Sequence, residues 1–193
     1  MSHQAQKEWC EYVKNRFPGR FFGAMALDVG SLDVNGNNRW LFDNSAVTGI
    51  DVVAGPNVDI VWPLGFADWW RFTSYTKLRN KQAVERYDVI VSTEALEHDI
   101  HWALTLLAAT DALKVGGLLL LTCATTGRGE HGTRASRPED APGLPWPDYY
   151  RNITEDDVRS VLDLDHLFDT HELSVLGTDL RLWGIRSDKR YRA

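Results

Sequence analysis

Short apolar runs, separated by polar and glycine-rich segments, recur along the first two thirds of the chain. Their β-branched and leucine-rich composition predicts five strands, at residues 21–29, 47–53, 58–62, 87–92 and 118–123. Each run is apolar at successive positions and not only at alternate ones. Strands of this kind belong to a sheet that helices cover on both faces. The pattern therefore predicts a mostly parallel α/β sheet.

Helical periodicity appears between and around these runs. It predicts helices over residues 4–16, part of 68–86, 100–113 and 154–164. The last of these begins at Thr154, a residue type that caps helix N-termini, and continues with acidic residues. In the clearest helix the spacing predicts a buried stripe formed by Leu104, Leu107, Ala108 and Leu113.

Two further β-like runs, 167–176 and 180–186, follow with only three residues between them. So short a turn permits only antiparallel pairing, because a parallel crossover needs about a dozen residues or more. The predicted fold class is a doubly wound, mostly parallel seven-stranded sheet with a C-terminal antiparallel hairpin, which is a Rossmann-like arrangement.

The 193 residues fit one domain, which we expect to span 1–193. Residues 124–152 form a long loop rich in glycine, proline and charge. Such loops inside a domain are usually lids or disordered segments. We interpret 124–152 as a lid whose aromatic end, residues 146–150, forms part of a binding wall.

Composition restricts the classes of function. With 44% hydrophobic and 25% charged residues, the chain resembles an ordinary soluble protein. The only cysteines, Cys10 and Cys123, are too few for a disulfide framework and indicate a reducing, cytoplasmic setting. We expect no signal peptide and no membrane span, since the most apolar stretch is far shorter than a bilayer requires. The net charge of −6 disfavours nucleic acid as a partner.

The end of the first strand carries the first candidate chemistry. Gly30 follows it directly, where a ligand can approach the backbone of a doubly wound sheet. Leu32 stands where a dinucleotide motif needs its second glycine, so the sequence favours a nucleoside ligand without a pyrophosphate. Asp51 ends the second strand roughly 20 residues later, the distance at which an acid binds ribose hydroxyls. A turn glycine and a solvated turn aspartate are the alternatives.

Four segments in order resemble the class I S-adenosylmethionine-dependent methyltransferases. They read LDVGS, TGID, YDVIVSTEALEH and LKVGGLLL, at residues 27–31, 48–51, 87–98 and 113–120. The resemblance covers residues 20–122 well. It implies S-adenosylmethionine as the cofactor and a Rossmann-like methyltransferase fold. By this resemblance, the methionine part of the cofactor would contact Asp28, Gly30 and Ser31 after the first strand and Thr93 and Glu94 after the fourth. Asp51 would bind the ribose, and Val52 would pack on the adenine.

The chain departs from this family at two places. Asn35 and Gly36 follow the first motif where glycine is usual, and they would shape the loop at the cofactor. The acid that usually binds the adenine after the third strand is not evident. There, Trp62 could stack on the adenine, or Asp68 could reach it from the next segment.

For the chemistry, the reaction requires in-line alignment of a nucleophile with the methyl carbon, and a hydroxyl nucleophile benefits from a general base. His131 in the lid is the first candidate base and His98 the second. A surface position for His131 and a structural role for His98 are the alternatives. No residue spacing typical of a metal site stands out.

The sequence thus favours a methyltransferase acting on a small-molecule acceptor, with oxygen as the target atom. A nucleic-acid methyltransferase is a second hypothesis, supported by basic residues in the lid and tail. A cofactor-binding subunit without transfer activity is the third. Loops select the acceptor in such folds, so the pattern leaves the acceptor and the oligomeric state open.

Overall fold

The computed structural model describes residues 4–79 and 86–188. Its helices are α1 (Gln4–Arg16), α2 (Gly65–Arg79), α3 (Trp102–Ala112), α4 (Glu155–Val161) and α5 (Leu164–Leu167). Its strands are β1 (Met25–Val29), β2 (Ala46–Asp51), β3 (Ile60–Val61), β4 (Tyr87–Thr93), β5 (Leu113–Ala124), β6 (Phe168–Leu176) and β7 (Asp179–Arg186). The part of the predicted helix 68–86 that falls on residues 80–85 lies outside the described residues.

The strands form one seven-stranded sheet in the order β3-β2-β1-β4-β5-β7-β6. All neighbours from β3 to β5 pair in parallel, while β7 pairs antiparallel with both β5 and β6. The predicted fold class and terminal hairpin are therefore confirmed. The chain proceeds outward from β1 in both directions, so the strand order reverses between β1 and β4, where ligands bind in doubly wound sheets.

Two apolar layers cover the sheet because successive side chains of a strand point to opposite faces. Along β5, Leu119 and Leu121 face the layer built by α2, α3 and α4. Leu118 and Leu120 face the opposite layer, to which α1 contributes Trp9, Cys10 and Val13. This two-sided burial accounts for the continuous apolar runs in the sequence.

One local expectation was wrong in part. Of the predicted stripe, Ala108 and Leu113 are buried, but Leu104 and Leu107 are exposed, and Leu106 and Ala109 are buried instead. The helix carries apolar residues almost all round, so periodicity could not identify its buried face. The loop that joins β1 and β2 contains one 3-10 turn, Arg39–Leu41.

None of the helices within residues 4–79 and 86–188 combines the length and the apolar character needed to cross a bilayer.

Candidate functional site

A continuous cleft lies at the carboxyl ends of β1, β2 and β4, at the point where the strand order reverses. Most of the residues singled out in the sequence line its two adjoining parts: Asp28, Gly30, Ser31, Asn35, Asp51, Val52, Thr93, Glu94 and His98. Trp62 and His131 lie elsewhere, as described below.

Gly30 forms the floor of the cleft between β1 and β4. Its φ of 75° is in the left-handed region, which glycine adopts without strain. A side chain at this position would also overlap the Cβ of Ala95. Both facts require glycine here, and Gly30 lines the cleft.

A buried polar network joins the ends of β1 and β4. The amide of Asn38 donates to Asp28 Oδ1 at 2.8 Å and to Thr93 Oγ1 at 3.0 Å, and the Thr93 hydroxyl lies 3.2 Å from Asn38 Oδ1. Burial raises the pKa of Asp28 to about 6, although the bond from Asn38 lowers it. The network holds an acidic group at the bottom of the cleft with a fixed orientation.

The Asp51 carboxylate organises the loop beside it. It accepts the backbone N–H of Leu32 at 3.0 Å and that of Val53 at 3.1 Å. Burial raises the pKa of Asp51, and the backbone donors offset part of that rise. A carboxylate has about four acceptor positions, so two bonds leave capacity for ligand hydroxyl groups that enter the cleft.

Ser31 and Asn35 belong to the loop after β1. The Oγ of Ser31 is buried and has no hydrogen-bond partner among residues 4–79 and 86–188. Buried hydroxyls are normally bonded; this one lies close to Gly49 of β2. Asn35 is exposed at the rim of the same part of the cleft.

Glu94 follows β4 with a φ of 52°, which is strained for a residue with a side chain. Its buried carboxylate accepts the Thr122 hydroxyl at 3.1 Å and forms an ion pair with Arg128 at 3.5 Å. Backbone strain of this kind concentrates at functional sites. These bonds hold the Glu94 backbone in an unusual conformation at the cleft wall.

The aromatic residue at the far end of the cleft is Phe66 and not Trp62. Phe66, at the start of α2, lines the cleft beside Asp51 and Val52. Trp62 packs on Phe72, and its indole N–H donates to Asp68 at 2.8 Å. Trp62 and Asp68, the two residues named above for the adenine contact, are therefore hydrogen-bonded to each other.

The 124–152 segment covers the cleft from above. Asp140, Ala141, Pro142, Leu144 and Trp146 contribute to the lining. The Trp146 indole N–H donates to the carbonyl of His98, which fastens the lid to the turn after β4. Residues 140–146 of the segment therefore border the cleft, and the function of 124–152 as a mobile lid stays a prediction.

The two candidate bases are neighbours. His98 lines the cleft, while His131 lies behind it and borders a second depression with Arg128 and Thr178. Their rings meet edge to face, with centroids 4.9 Å apart. Burial and the proximity of His131 lower the pKa of His98 to about 3. At neutral pH His98 is therefore uncharged and a weak proton acceptor.

Sequence reasoning missed Asn38, Phe66, Glu97 and Asp99. Asn38 and Phe66 stand in segments without a recognisable period, so no local signal distinguishes them. Asp99 lines the cleft and accepts the Thr105 hydroxyl at 2.6 Å. Glu97 is completely buried next to His98. The Glu97-His98 pair was visible in the sequence, but only His98 was assigned a role.

Solved structures with bound cofactor share this architecture. The 1,6-didemethyltoxoflavin-N1-methyltransferase of Burkholderia thailandensis, with bound S-adenosylhomocysteine, matches with a TM-score of 0.55 and 13% identity, covering 95% of this chain and 79% of that chain. The magnesium protoporphyrin IX methyltransferase of Synechocystis PCC 6803, with the same ligand, matches with a TM-score of 0.56 and 16% identity. The match covers 95% of this chain and 84% of that chain.

A third structure, the CurJ carbon methyltransferase, gives a TM-score of 0.53 and 16% identity, and the match covers 97% of this chain and 56% of that chain. No protein-family model and no curated protein matches the sequence. At these identities the likeness establishes the fold and not the activity. The chain has the fold of the class I S-adenosylmethionine-dependent methyltransferases.

Proposed function

We propose that the chain is an enzyme that binds S-adenosylmethionine and transfers its methyl group to a small-molecule acceptor, with oxygen as the target atom. The carrying observation is that Gly30, Asp51 and Glu94, at the ends of three neighbouring strands, line one cleft in a methyltransferase fold. The proposal includes a single catalytic domain over residues 1–193. The two buried free cysteines support a reducing, cytoplasmic location.

The residues of the cleft fit the cofactor. Asp51 has free acceptor capacity for two ribose hydroxyls, and Val52 and Phe66 supply apolar surface for the adenine. Ser31 and the rim residue Asn35 line the part of the cleft that would receive the methionine end. Thr93 completes this part through its bond with Asn38.

Charge in the cleft supports the same assignment. Asp28 and Glu94 are both buried carboxyl groups at the methionine end. Negative charge in a poorly solvated site stabilises cations strongly. It would favour an ammonium and a sulfonium over the anionic groups of a dinucleotide.

When bound, S-adenosylmethionine supplies an electrophilic methyl group. The task of this chain is then to align the acceptor and exclude water. Asp140 to Trp146 close the cleft above His98, so the acceptor would lie between the lid and the turn after β4. His131 and His98 are the proposed recipients of the acceptor proton.

The cleft, covered by residues 140–146, is of a shape that suits a small acceptor. The names of two structural neighbours specify a toxoflavin precursor and a protoporphyrin. The neighbours transfer to nitrogen in one case and carbon in another. We favour oxygen because His131, in ring contact with His98 behind the cleft wall, is of a residue type that suits the removal of a hydroxyl proton.

The test uses S-adenosylmethionine labelled in the methyl group and a panel of hydroxylated small molecules, amines, DNA and RNA. Label in a small hydroxylated compound supports the proposal. Label in nucleic acid would replace it with the nucleic-acid alternative. Calorimetric binding of S-adenosylhomocysteine without transfer to any member of the panel would favour the non-catalytic subunit.

A further inference from the structure

Three buried side chains next to the cleft converge on one point. Glu97 and His98 belong to the 3-10 turn Leu96–His98 after β4, and His131 comes from the lid. One carboxylate oxygen of Glu97 and one ring nitrogen of each histidine lie within 4.8 Å of one another. The exposed fractions are 0% for Glu97, 7% for His98 and 4% for His131.

Four polar atoms of these side chains have no partner within hydrogen-bond distance among the described residues: both carboxylate oxygens of Glu97, Nδ1 of His98 and Nε2 of His131. The backbone N–H groups of Glu97 and Ala124 lie near the Glu97 carboxyl and act to lower its pKa, which burial raises. Leaving a buried polar group unsatisfied costs about 1–3 kcal/mol, and more for a charged group. Several such groups at one point need a common partner.

The orientation of His131 suits metal coordination. Its Nδ1 lies 3.1 Å from the carbonyl oxygen of Gly129, which can only accept. The proton is therefore on Nδ1, which leaves the buried, unpaired Nε2 available as a ligand atom. Histidines that bind metals commonly donate their other N–H to a backbone carbonyl in this way.

Space beside His98 is also preserved. Gly132 has a φ of 73°, and a Cβ built there would lie 3.1 Å from His98 Nδ1 and 2.7 Å from Cε1. Any larger residue would press on the ring edge that carries the unpaired nitrogen. The lid thus covers this nitrogen with backbone alone.

We propose that Glu97, His98 and His131 bind a divalent transition-metal ion of the zinc or ferrous type. Two imidazole nitrogens and one carboxylate are donors that these ions prefer, and three protein ligands leave a coordination position open. Because His98 lines the cleft, an ion held by these residues would lie close to the acceptor side.

The role of this metal site in methyl transfer rests on the proposed function. An acceptor hydroxyl bound to the ion would lose its proton more readily, since a metal lowers the pKa of a coordinated oxygen. The histidines would then act as ligands, and the proton would leave to solvent or buffer. Metal binding itself does not depend on methyl transfer.

The test uses untagged full-length protein treated with a chelator and then titrated with Zn²⁺ by calorimetry, and with Co²⁺ by visible absorption. We expect one ion per chain and a Co²⁺ spectrum of low coordination number. Glu97→Gln and His131→Ala should each weaken Zn²⁺ binding more than about tenfold. His171→Ala, in β6, should bind Zn²⁺ as the unmodified protein does.

Circular dichroism and S-adenosylhomocysteine calorimetry on the same samples separate folding and cofactor binding from metal binding. If His131→Ala does not fold, Glu97→Gln, which preserves size and shape, provides the same comparison. Absence of stoichiometric metal binding, or affinity unchanged in Glu97→Gln, overturns the metal site. Retained S-adenosylhomocysteine binding in that case leaves the proposed function intact.

Discussion

The backbone N–H of Leu32 donates to the carboxylate of Asp51 across 3.0 Å, which ties the loop after β1 to the end of β2. Leu32 occupies the place of the second glycine in a dinucleotide motif, and Asp51 is the predicted ribose acid. The bond therefore couples the two features from which the sequence favoured a nucleoside ligand. One substitution can test their common role.

Asp51→Ala should weaken S-adenosylhomocysteine binding at least about tenfold, which corresponds to about 1.4 kcal/mol. The substitution removes the acceptor for the ribose hydroxyls and also releases Leu32 and Val53. Calorimetry measures the affinity, and circular dichroism checks the fold. Asp165→Ala, at an exposed carboxylate, is the control. Equal affinity in both variants would refute the ribose assignment.

NAD and NADP should give no appreciable thermal stabilisation, in contrast to S-adenosylmethionine. A pyrophosphate is normally held by backbone N–H groups at a helix N-terminus. Here the loop after Gly30 leads to a short 3-10 turn, Arg39–Leu41, and not to an α-helix. In addition, Leu32 stands where a dinucleotide motif has the glycine that lets the pyrophosphate approach the backbone. A thermal-shift titration decides the point. A larger shift with either dinucleotide than with S-adenosylmethionine would contradict the cofactor proposal.

Residues at strand ends could be identified from sequence because their positions depend on local pattern. Asp28, Gly30 and Asp51 come directly at or after apolar runs, and parallel strands bring such ends to one edge of the sheet. Pairing between β1 and β2 then sets their spacing without any information from distant segments.

The position of Phe66 in the cleft could not be predicted, because the sequence pattern did not show where helix α2 begins. Helix α2 begins at Gly65, three residues before the predicted start at 68, and this early start carries Phe66 into the cleft. Trp62 instead bonds to Asp68. The contact between His98 and His131 joins the turn after β4 to the 124–152 loop. It could not be predicted, because loops have no periodic sequence pattern that indicates which residues meet.

The lid should become better protected when the cofactor binds. Residues 138–146 line the cleft directly, so a ligand there adds contacts to a segment that otherwise depends on few anchors, among them Trp146. Hydrogen exchange with and without S-adenosylhomocysteine measures this, with β6 as an internal reference. Identical exchange in 138–146 would indicate a preformed cover.

His131→Ala should lower methyl transfer about 100-fold while cofactor affinity changes less than about twofold, since His131 lies behind His98 and away from the ribose. The measurement pairs turnover on the acceptor found by labelling with S-adenosylhomocysteine calorimetry. His171→Ala is the matched control on a remote strand. Unchanged turnover would remove His131 from both roles considered for it, as a base and as a ligand.

Asp28→Asn should change the pH dependence of stability in a defined direction. Burial raises the pKa of Asp28 to about 6, above its usual value of about 3.9 when unfolded. Between these values the folded state holds the proton and the unfolded state does not, so the free energy of unfolding falls as pH rises. The cost of the buried charge is fully present above about pH 6 and amounts to about 3 kcal/mol.

The asparagine carries no charge and can still accept the Asn38 amide through its carbonyl oxygen. Relative to the unmodified protein, Asp28→Asn should therefore gain stability as pH rises from about 4 to 7, as measured by urea unfolding at several pH values. Taking the difference between the two proteins cancels the titrating groups that do not interact with Asp28. The same variant should bind S-adenosylhomocysteine more weakly, because a charged hydrogen bond is stronger than a neutral one. A stability difference that stays constant with pH would show that Asp28 is not the buried acid of this cleft. Gained stability together with lost affinity would show that the charge is retained for binding at the expense of folding.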